Sequence, residues 1–186
     1  MHNPNQSAYT KYHSTETTLF SLHVHIITAI SHQQVSCLCL LDLSAAFDTI
    51  DHSILLHRLS SWFGIADSAL TWFKTYLISR SFSVLASDLA SSPYPLSCGV
   101  PQGSVRGPIL FNMYTTPLSI LISSPSLDHQ LYADDTQIFI SFVPKTFTTA
   151  ITQLQDTISE ISSWMTVNLP SLNPSKLKFM LIGLPE

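Results

Sequence analysis

Two adjacent acidic residues, Asp134 and Asp135, lie between short apolar segments. These segments, Leu131 to Ala133 and Ile138 to Ile140, lack helical periodicity, so we predict a strand, a tight turn and a second strand, with the acids at the bend. Carboxylates in contact repel each other unless one is protonated or a cation neutralises both. The pair therefore indicates a divalent metal site or, as the simpler alternative, a polar hairpin turn.

A third acid, Asp42, follows directly after the apolar segment Val35 to Leu41. That segment is typical of a strand covered on both faces. A charged carboxylate directly at the end of a buried strand is unusual and indicates a function. If this strand lies beside the strand next to Asp134, the carboxylates meet at one edge of a sheet. Oxygen ligands there suit Mg²⁺, or Mn²⁺, and leave positions open for phosphate oxygens. The expected chemistry is a two-metal, in-line displacement at phosphorus.

Apolar residues spaced three and four apart predict the helices that position these strands. In the first helix, begun by Ser14 or Thr15 as N-cap, we expect Leu19, Leu22, Ile26 and Ile30 to form the packing face. The predicted helices cover residues 15–30, 53–63, 67–79 and 147–165, and a further helix follows Ser104. Residues 81–98 alternate weakly, which predicts a hairpin whose loop lies near Ser91 to Pro95.

Length and composition predict one globular domain in a reducing, intracellular setting, with nucleus and cytoplasm both open. The 186 residues are 45% hydrophobic, enough for a core. No apolar run approaches the roughly 20 residues of a membrane span, and the first residues lack the features of a secretory signal. The three cysteines, Cys37, Cys39 and Cys98, are spaced poorly for zinc, so we expect free thiols.

Three motifs together resemble those of reverse transcriptases of the non-LTR, or LINE-type, retrotransposons. They are Asp42 to His52 (DLSAAFDTIDH), Gly99 to Ser104 (GVPQGS) with Gly107 to Phe111 (GPILF), and Tyr132 to Asp135 (YADD). Their order and spacing both agree with that family. The likeness extends to Gln6 to Tyr9, His13 to Thr17, Leu172 to Lys176 and Leu181 to Gly183.

This resemblance implies an α+β fold, the palm of a right-hand polymerase, with a small antiparallel sheet backed by helices. It implies that the fingers are incomplete and the thumb absent, with residues 1–13 a loose polar N-terminus and 14–186 a partial palm domain. The implied reaction is RNA-directed DNA synthesis, in which a primer 3′-hydroxyl attacks a dNTP and pyrophosphate leaves. The implied partners are an RNA template, a DNA primer and dNTPs, without a membrane.

The resemblance also assigns the acids their roles. Asp42, Asp134 and Asp135 would be the catalytic, Mg²⁺-binding residues. For Asp135 this role depends on the turn, because neighbouring residues on an extended strand face opposite ways unless a turn redirects one.

Four further residues are expected to contact the nucleotide. Phe47 would lie under the incoming sugar and exclude a 2′-hydroxyl, with a core phenylalanine as the alternative. Gln102 and Gly103 belong to a glycine turn that can press against a nucleotide or template base, with a generic glycine turn as the alternative. Lys176 would protonate the leaving pyrophosphate as a general acid, with a solvated turn lysine as the alternative.

Several features depart from the family pattern. Eight Lys and Arg against twelve Asp and Glu give a net charge of −4, whereas proteins that hold nucleic acid usually have a basic face. Arg106 stands where the family usually has an apolar residue, and Pro170-Ser171 replaces an apolar-Lys pair. These features leave two alternatives open: a catalytically inactive retrotransposon remnant, and a two-metal phosphohydrolase for which Asp51-His52 is the hint.

Overall fold

A computed structural model of the chain describes residues 3–123, 127–168 and 176–183. The chain divides into two compact units. The first, called here the sheet unit, comprises His2–Ser44 and Thr115–Glu186. The second, the inserted unit, comprises Ala45–Tyr114.

All of the helices predicted from periodicity are present. They are α1 (Thr15–Ser31), α2 (His52–Ser61), α3 (Asp67–Ile78), α4 (Gly107–Ile122) and α5 (Phe147–Asn168). The strands are β1 (Val35–Leu41), β2 (Ser81–Phe82), β3 (Leu85–Ala86), β4 (Leu89–Ala90), β5 (Tyr94–Pro95), β6 (Asp128–Tyr132), β7 (Asp135–Phe142) and β8 (Lys178–Ile182). In the described part of the chain, no helix has the length and apolar character needed to span a membrane.

The sheet unit is built on a four-stranded antiparallel sheet with the strand order β6-β7-β1-β8. The central strand β1 has six of its seven residues buried, as its continuous apolar sequence predicts. Hairpin partners β6 and β7 carry the YADD motif at their connection. The predicted α+β palm, a small antiparallel sheet with helices packed on it, is confirmed.

Helix α1 packs on the sheet through a face that matches the predicted one in part, because Leu22 and Ile26 pack against the core as expected. Its buried residues are Thr18, Leu22 and Ala29, whereas Leu19 and Ile30 are 59% and 48% exposed. Spacings of four and seven residues place the buried three on one side of the helix. A threonine is tolerated there because the Thr18 hydroxyl donates to the Ser14 carbonyl, 3.1 Å away. Hydrophobicity alone therefore identified Leu22 and Ile26 correctly and was wrong for Leu19 and Ile30.

Helix α5 also packs on the sheet, against β7. Its buried residues are Ala150, Leu154, Thr157, Ile161 and Met165, at the spacing of one helical face. The prediction of an amphipathic helix here is confirmed.

The N-terminal segment is held against the sheet unit, although we expected residues 1–13 to be loose. Gln6, Ser7 and Ala8 are only 2%, 4% and 2% exposed. The Ser7 N–H donates to the Leu131 carbonyl at 2.9 Å, and the Leu131 N–H donates to the Asn5 carbonyl at 2.8 Å. These hydrogen bonds add a short parallel bridge beside β6, which polar composition did not reveal.

In the inserted unit, α2 and α3 pack together and are followed by two short ladders. Strand β2 pairs with β5, and β3 pairs with β4. The tight turn therefore lies between Ala86 and Leu89, where Ser87 has a positive φ of 54°. The expected loop near Ser91 to Pro95 was wrong, because Tyr94 and Pro95 themselves form a strand.

Candidate active site

The hairpin between β6 and β7 places two carboxylates at a tight bend. Tyr132 pairs with Asp135, so Ala133 and Asp134 are the two residues of the turn. Ala133 has a positive φ of 54°, whereas Asp134 does not, which is the pattern of a type II′ hairpin turn. Because Asp134 lies in the turn and Asp135 begins the strand, the two side chains are not constrained to opposite faces of one strand.

Asp42 reaches the same end of the sheet through the register of β1 and β7. Leu41 pairs with Thr136, so Asp42 follows at the position opposite Asp135. Cross-strand partners project from the same face of a sheet. Two strand ends, far apart in sequence, therefore bring together the carboxylates that the motifs singled out.

Lys176 contributes a cation to this end of the sheet. Its Nζ lies 2.9 Å from Oδ2 of Asp42, in an ion pair whose side chains are 60% and 19% exposed respectively. The hydrogen bond to Asp42 and the charge of Asp42 raise the pKa of Lys176, and Asp134 and Asp135 add to this effect. The rest of the Leu172 to Lys176 motif, and Pro170-Ser171, lie outside the described residues.

The charge of each acid acts on the others. Desolvation by the surrounding chain raises the pKa of Asp135, the negative charges of Asp134 and Asp42 raise it further, and Lys176 opposes the shift. The three carboxylates and Lys176 thus form one electrostatic cluster, called here the acidic cluster. Repulsion among its carboxylates favours a bound cation.

The donor chemistry of the acidic cluster fits a divalent metal ion, since carboxylate oxygens are the ligands that Mg²⁺ and Mn²⁺ prefer. No group of three or more His, Cys, Asp or Glu side chains in residues 3–123, 127–168 and 176–183 is drawn together tightly enough to hold a metal ion. The Lys176 ammonium instead neutralises Asp42.

The other predicted site residues belong to the inserted unit. Phe47 stacks on Phe111 with ring centroids 4.7 Å apart and planes inclined by 18°. The exposed Gln102 side chain donates from Nε2 to both carboxylate oxygens of Asp48, each at 3.2 Å. Gly103 has a positive φ of 75°, as expected for the glycine turn. This unit thus presents a fixed aromatic ring and a tethered amide.

The features that suggested other functions are engaged in structural contacts. Asp51 caps α2 by accepting from the Ile54 N–H at 2.8 Å, and His52 Nε2 lies 2.8 Å from the Gly99 carbonyl oxygen. Arg106 is exposed, and its guanidinium lies 4.5 Å from the ring centre of Trp72. The charge of Arg106 is not buried at this family-apolar position, because the side chain reaches solvent and stacks on an aromatic ring.

One contact of the hairpin was not anticipated from the sequence. The Ala133 N–H donates to Oε1 of the buried Gln6, 3.2 Å away. The only sequence signal was the place of Gln6 in the Gln6 to Tyr9 motif, to which no role was assigned.

Comparison with protein families agrees with this geometry. The family model described as "Reverse transcriptase (RNA-dependent DNA polymerase)" matches residues 1–183. The chain belongs to the reverse transcriptase family. The resemblance to LINE-type elements, inferred from the motifs, is confirmed by the relatives of this reverse transcriptase chain.

Two curated relatives come from Drosophila melanogaster. The probable RNA-directed DNA polymerase from transposon BS is 27% identical over 176 residues, covering 92% of this chain and 19% of the relative. The RNA-directed DNA polymerase from mobile element jockey is 27% identical over 157 residues, covering 82% of this chain and 17% of the relative. The chain therefore spans about a fifth of the length of these relatives.

Solved telomerase structures share the fold. Apo telomerase from Candida tropicalis, truncated from its C-terminal domain, matches with a TM-score of 0.72 and 10% identity, over 98% of this chain and 37% of that one. Telomerase from Candida albicans in complex with the TWJ fragment of telomeric RNA matches with a TM-score of 0.71 and 11% identity, over 95% and 32%. At such identities the match concerns architecture alone.

Proposed function

We propose that this chain is the palm portion of an RNA-directed DNA polymerase that transfers dNTPs to a primer 3′-hydroxyl on an RNA template. The observation that carries the proposal is the acidic cluster, in which Asp42 lies opposite Asp135 and beside Lys176. Family membership supplies the reaction class.

Asp42, Asp134 and Asp135 would hold Mg²⁺, or Mn²⁺, through their carboxylate oxygens. When bound, such ions activate the primer hydroxyl and neutralise charge on the phosphates in an in-line displacement. The contribution of the chain is placement: the β6–β7 turn presents Asp134 and Asp135, and the end of β1 presents Asp42. No residue of the chain need act as a nucleophile, because the primer hydroxyl is one.

Lys176 would protonate the leaving pyrophosphate. Two features support this role: the ammonium lies 2.9 Å from a proposed metal ligand, and the side chain is 60% exposed, so the head group can reorient toward a phosphate. The alternative is a solvated turn lysine.

Phe47, Gln102 and Gly103 would contact the nucleotide. The stacking of Phe47 on Phe111 limits motion of the ring, and a fixed ring is what steric rejection of a 2′-hydroxyl requires. The nitrogen of the exposed Gln102 amide is bonded to Asp48, so its carbonyl oxygen would be the group that contacts a nucleotide, and the open backbone at Gly103 permits close approach.

A second candidate, a retrotransposon remnant unable to extend a primer, is favoured by one observation. The net charge of −4 provides few cations to neutralise the phosphates of a template and primer.

Primer extension separates these candidates. The chain is incubated with an RNA template, an annealed DNA primer, dNTPs and Mg²⁺ or Mn²⁺, alongside Asp134→Asn and the matched control Asp156→Asn on the exposed side of α5. Polymerase function predicts extension by the wild type and the control, and its loss in Asp134→Asn. Absence of extension both by the folded wild type and by the same chain produced with the segments that flank it in its reading frame favours the remnant, and phosphate release without a primer favours a hydrolase.

A further inference from the structure

The side chain of Gln6 joins the N-terminal segment to the turn that carries Asp134 and Asp135. Its Oε1 accepts two backbone hydrogen bonds, from the Ala8 N–H at 3.0 Å and from the Ala133 N–H at 3.2 Å. Gln6 is 2% exposed, so these bonds are shielded from water. The backbone on either side of Gln6 is bonded to Leu131, which fixes the distance between the segment and the hairpin.

The orientation of the Gln6 amide follows from its neighbours. Nε2 is buried and has no hydrogen-bond partner among the described residues. Rotating the amide by half a turn would direct its N–H groups at two backbone N–H donors and lose both bonds. The amide therefore keeps its acceptor toward Ala133 although its donor group goes unpaired, which a residue serving only to fill space would not need.

Ala133 is the residue that needs such support. Its φ of 54° places a side chain in the left-handed region, and the first position of a type II′ turn ordinarily favours glycine. A strained backbone conformation persists only where surrounding contacts hold it. The Ala133 N–H lies at the tip of the hairpin, beyond the Tyr132–Asp135 pair that closes the ladder, and it is bonded to Gln6.

We propose that Gln6 is a positioning residue: its carboxamide holds Ala133 in the left-handed conformation and so aims Asp134 and Asp135 toward Asp42. The proposal rests on the proposed function in one respect, that these aspartates bind the metal ion. Gln6 acts through Ala133 and touches no substrate. The N-terminal motif is thereby joined to the YADD motif, although 127 positions separate the two residues.

The first test needs no variant. Amide hydrogen exchange of the wild-type chain, followed by NMR, should show the Ala133 amide exchanging at least about tenfold more slowly than an open turn amide, because it is bonded to a buried acceptor. Exchange of the Ala133 amide at the rate of an unbonded amide would overturn the proposal.

The second test measures Mn²⁺ affinity by water-proton relaxation in variants that separate the hydrogen bond from packing. Gln6→Met keeps the length and volume of the side chain but removes the carbonyl acceptor, and Gln6→Asn keeps an amide too short to reach both donors. The matched control is Ser7→Ala, which removes a buried hydroxyl, bonded to His13, from the same segment. We expect Mn²⁺ binding to weaken on the order of tenfold in the Gln6 variants and to stay within about twofold of wild type in Ser7→Ala.

The double variant Gln6→Met/Ala133→Gly tests the strain directly. Glycine adopts a positive φ without strain, so it removes the need for the hydrogen bond and should restore most of the lost Mn²⁺ affinity. The proposal is overturned if Gln6→Met binds Mn²⁺ as tightly as the wild type. It is also overturned if adding Ala133→Gly does not restore the Mn²⁺ affinity lost in Gln6→Met. If Mn²⁺ binding by the wild type does not depend on Asp134, the proposed function fails, and Ala133 exchange alone still decides the role of Gln6.

Discussion

The ammonium of Lys176 lies 2.9 Å from Oδ2 of Asp42, so one of the three proposed metal ligands is paired with a cation from its own chain. The single positive charge of Lys176 pairs with Asp42, and Asp134 and Asp135 have no such ion pair among the described residues. Repulsion from Asp134 and Asp42 accounts for part of the raised pKa of Asp135. Lys176 would therefore compete with a metal ion bound, as proposed, by the Asp42 carboxylate.

Removing the Lys176 charge should strengthen metal binding. In Lys176→Met we expect Mn²⁺ affinity to rise on the order of three- to tenfold at low ionic strength, and less at high salt, because the cluster becomes more negative. Thermal stability should change little, since the lysine is 60% exposed. The matched control is Lys178→Met on the exposed strand β8. Equal Mn²⁺ affinities of Lys176→Met and wild type would show that Lys176 does not compete with the metal.

Because His129 is buried, we expect the folded protein to lose stability in mild acid. It hydrogen-bonds through Nε2 to Ser119 and Asn5, and burial lowers its pKa to about 4, against the opposing charge of Asp128. The unfolded chain, with an ordinary histidine pKa of about 6.5, binds the proton first. The contribution of neutral His129 to the free energy of unfolding is therefore fully present above pH 6.5. It falls as the pH drops toward 4, by on the order of 3 kcal/mol in total.

Urea unfolding at pH 7.5 and pH 5 measures this loss. His129→Gln should show a smaller decrease in unfolding free energy between the two values than the wild type, whereas exposed His23→Gln should match the wild type. The same decrease in His129→Gln as in the wild type would assign the acid sensitivity to other groups.

Gly99 and Gly64 form a matched pair for the inserted unit. Both have a positive φ, 87° and 67°, but a Cβ at Gly99 would meet the Asp48 carbonyl oxygen at 2.9 Å, whereas a Cβ at Gly64 meets nothing within 4 Å. Gly64→Ala should cost about 1 kcal/mol of unfolding free energy, for backbone strain alone. Gly99→Ala should cost roughly 2 kcal/mol more, because backbone must move. Urea denaturation at neutral pH compares them, and equal losses would contradict the predicted close approach.

The proposed role of Phe47 predicts that it selects dNTPs over rNTPs. When Phe47→Val is made in a complete, active polymerase that contains this chain, we expect rNTP incorporation relative to dNTP incorporation to rise at least about tenfold in primer extension, since the smaller side chain no longer excludes the 2′-hydroxyl. The control is Phe73→Val, which removes another half-buried ring, next to Trp72, in the same unit. An unchanged ratio in Phe47→Val would leave Phe47 as a core residue.

The sheet and the hairpin that carries Asp134 and Asp135 could be predicted from the sequence because their signals are local. Continuous apolar residues mark β1, and the acids interrupt apolar flanks at the β6–β7 turn. The buried face of α5 follows from its periodicity in the same way.

Long-range contacts could not be predicted in this way. Polar Gln6 is buried because two backbone donors satisfy its acceptor, and no property of neighbouring residues signals that. Thr18 is buried on α1 because its hydroxyl bonds within the helix, whereas the more hydrophobic Leu19 remains exposed. The partner of Lys176 likewise depends on how β8 pairs with β1.

Mn²⁺ binding to single-carboxylate variants tests most directly whether Asp42, Asp134 and Asp135 form one metal site. Electron paramagnetic resonance of free Mn²⁺ gives the affinity of the wild type, of Asp42→Asn, Asp134→Asn and Asp135→Asn, and of the control Asp156→Asn. A shared site predicts at least about tenfold weaker binding in each of the first three variants and wild-type binding in the control. If Asp42→Asn binds Mn²⁺ as tightly as the wild type, the three carboxylates do not form one metal site.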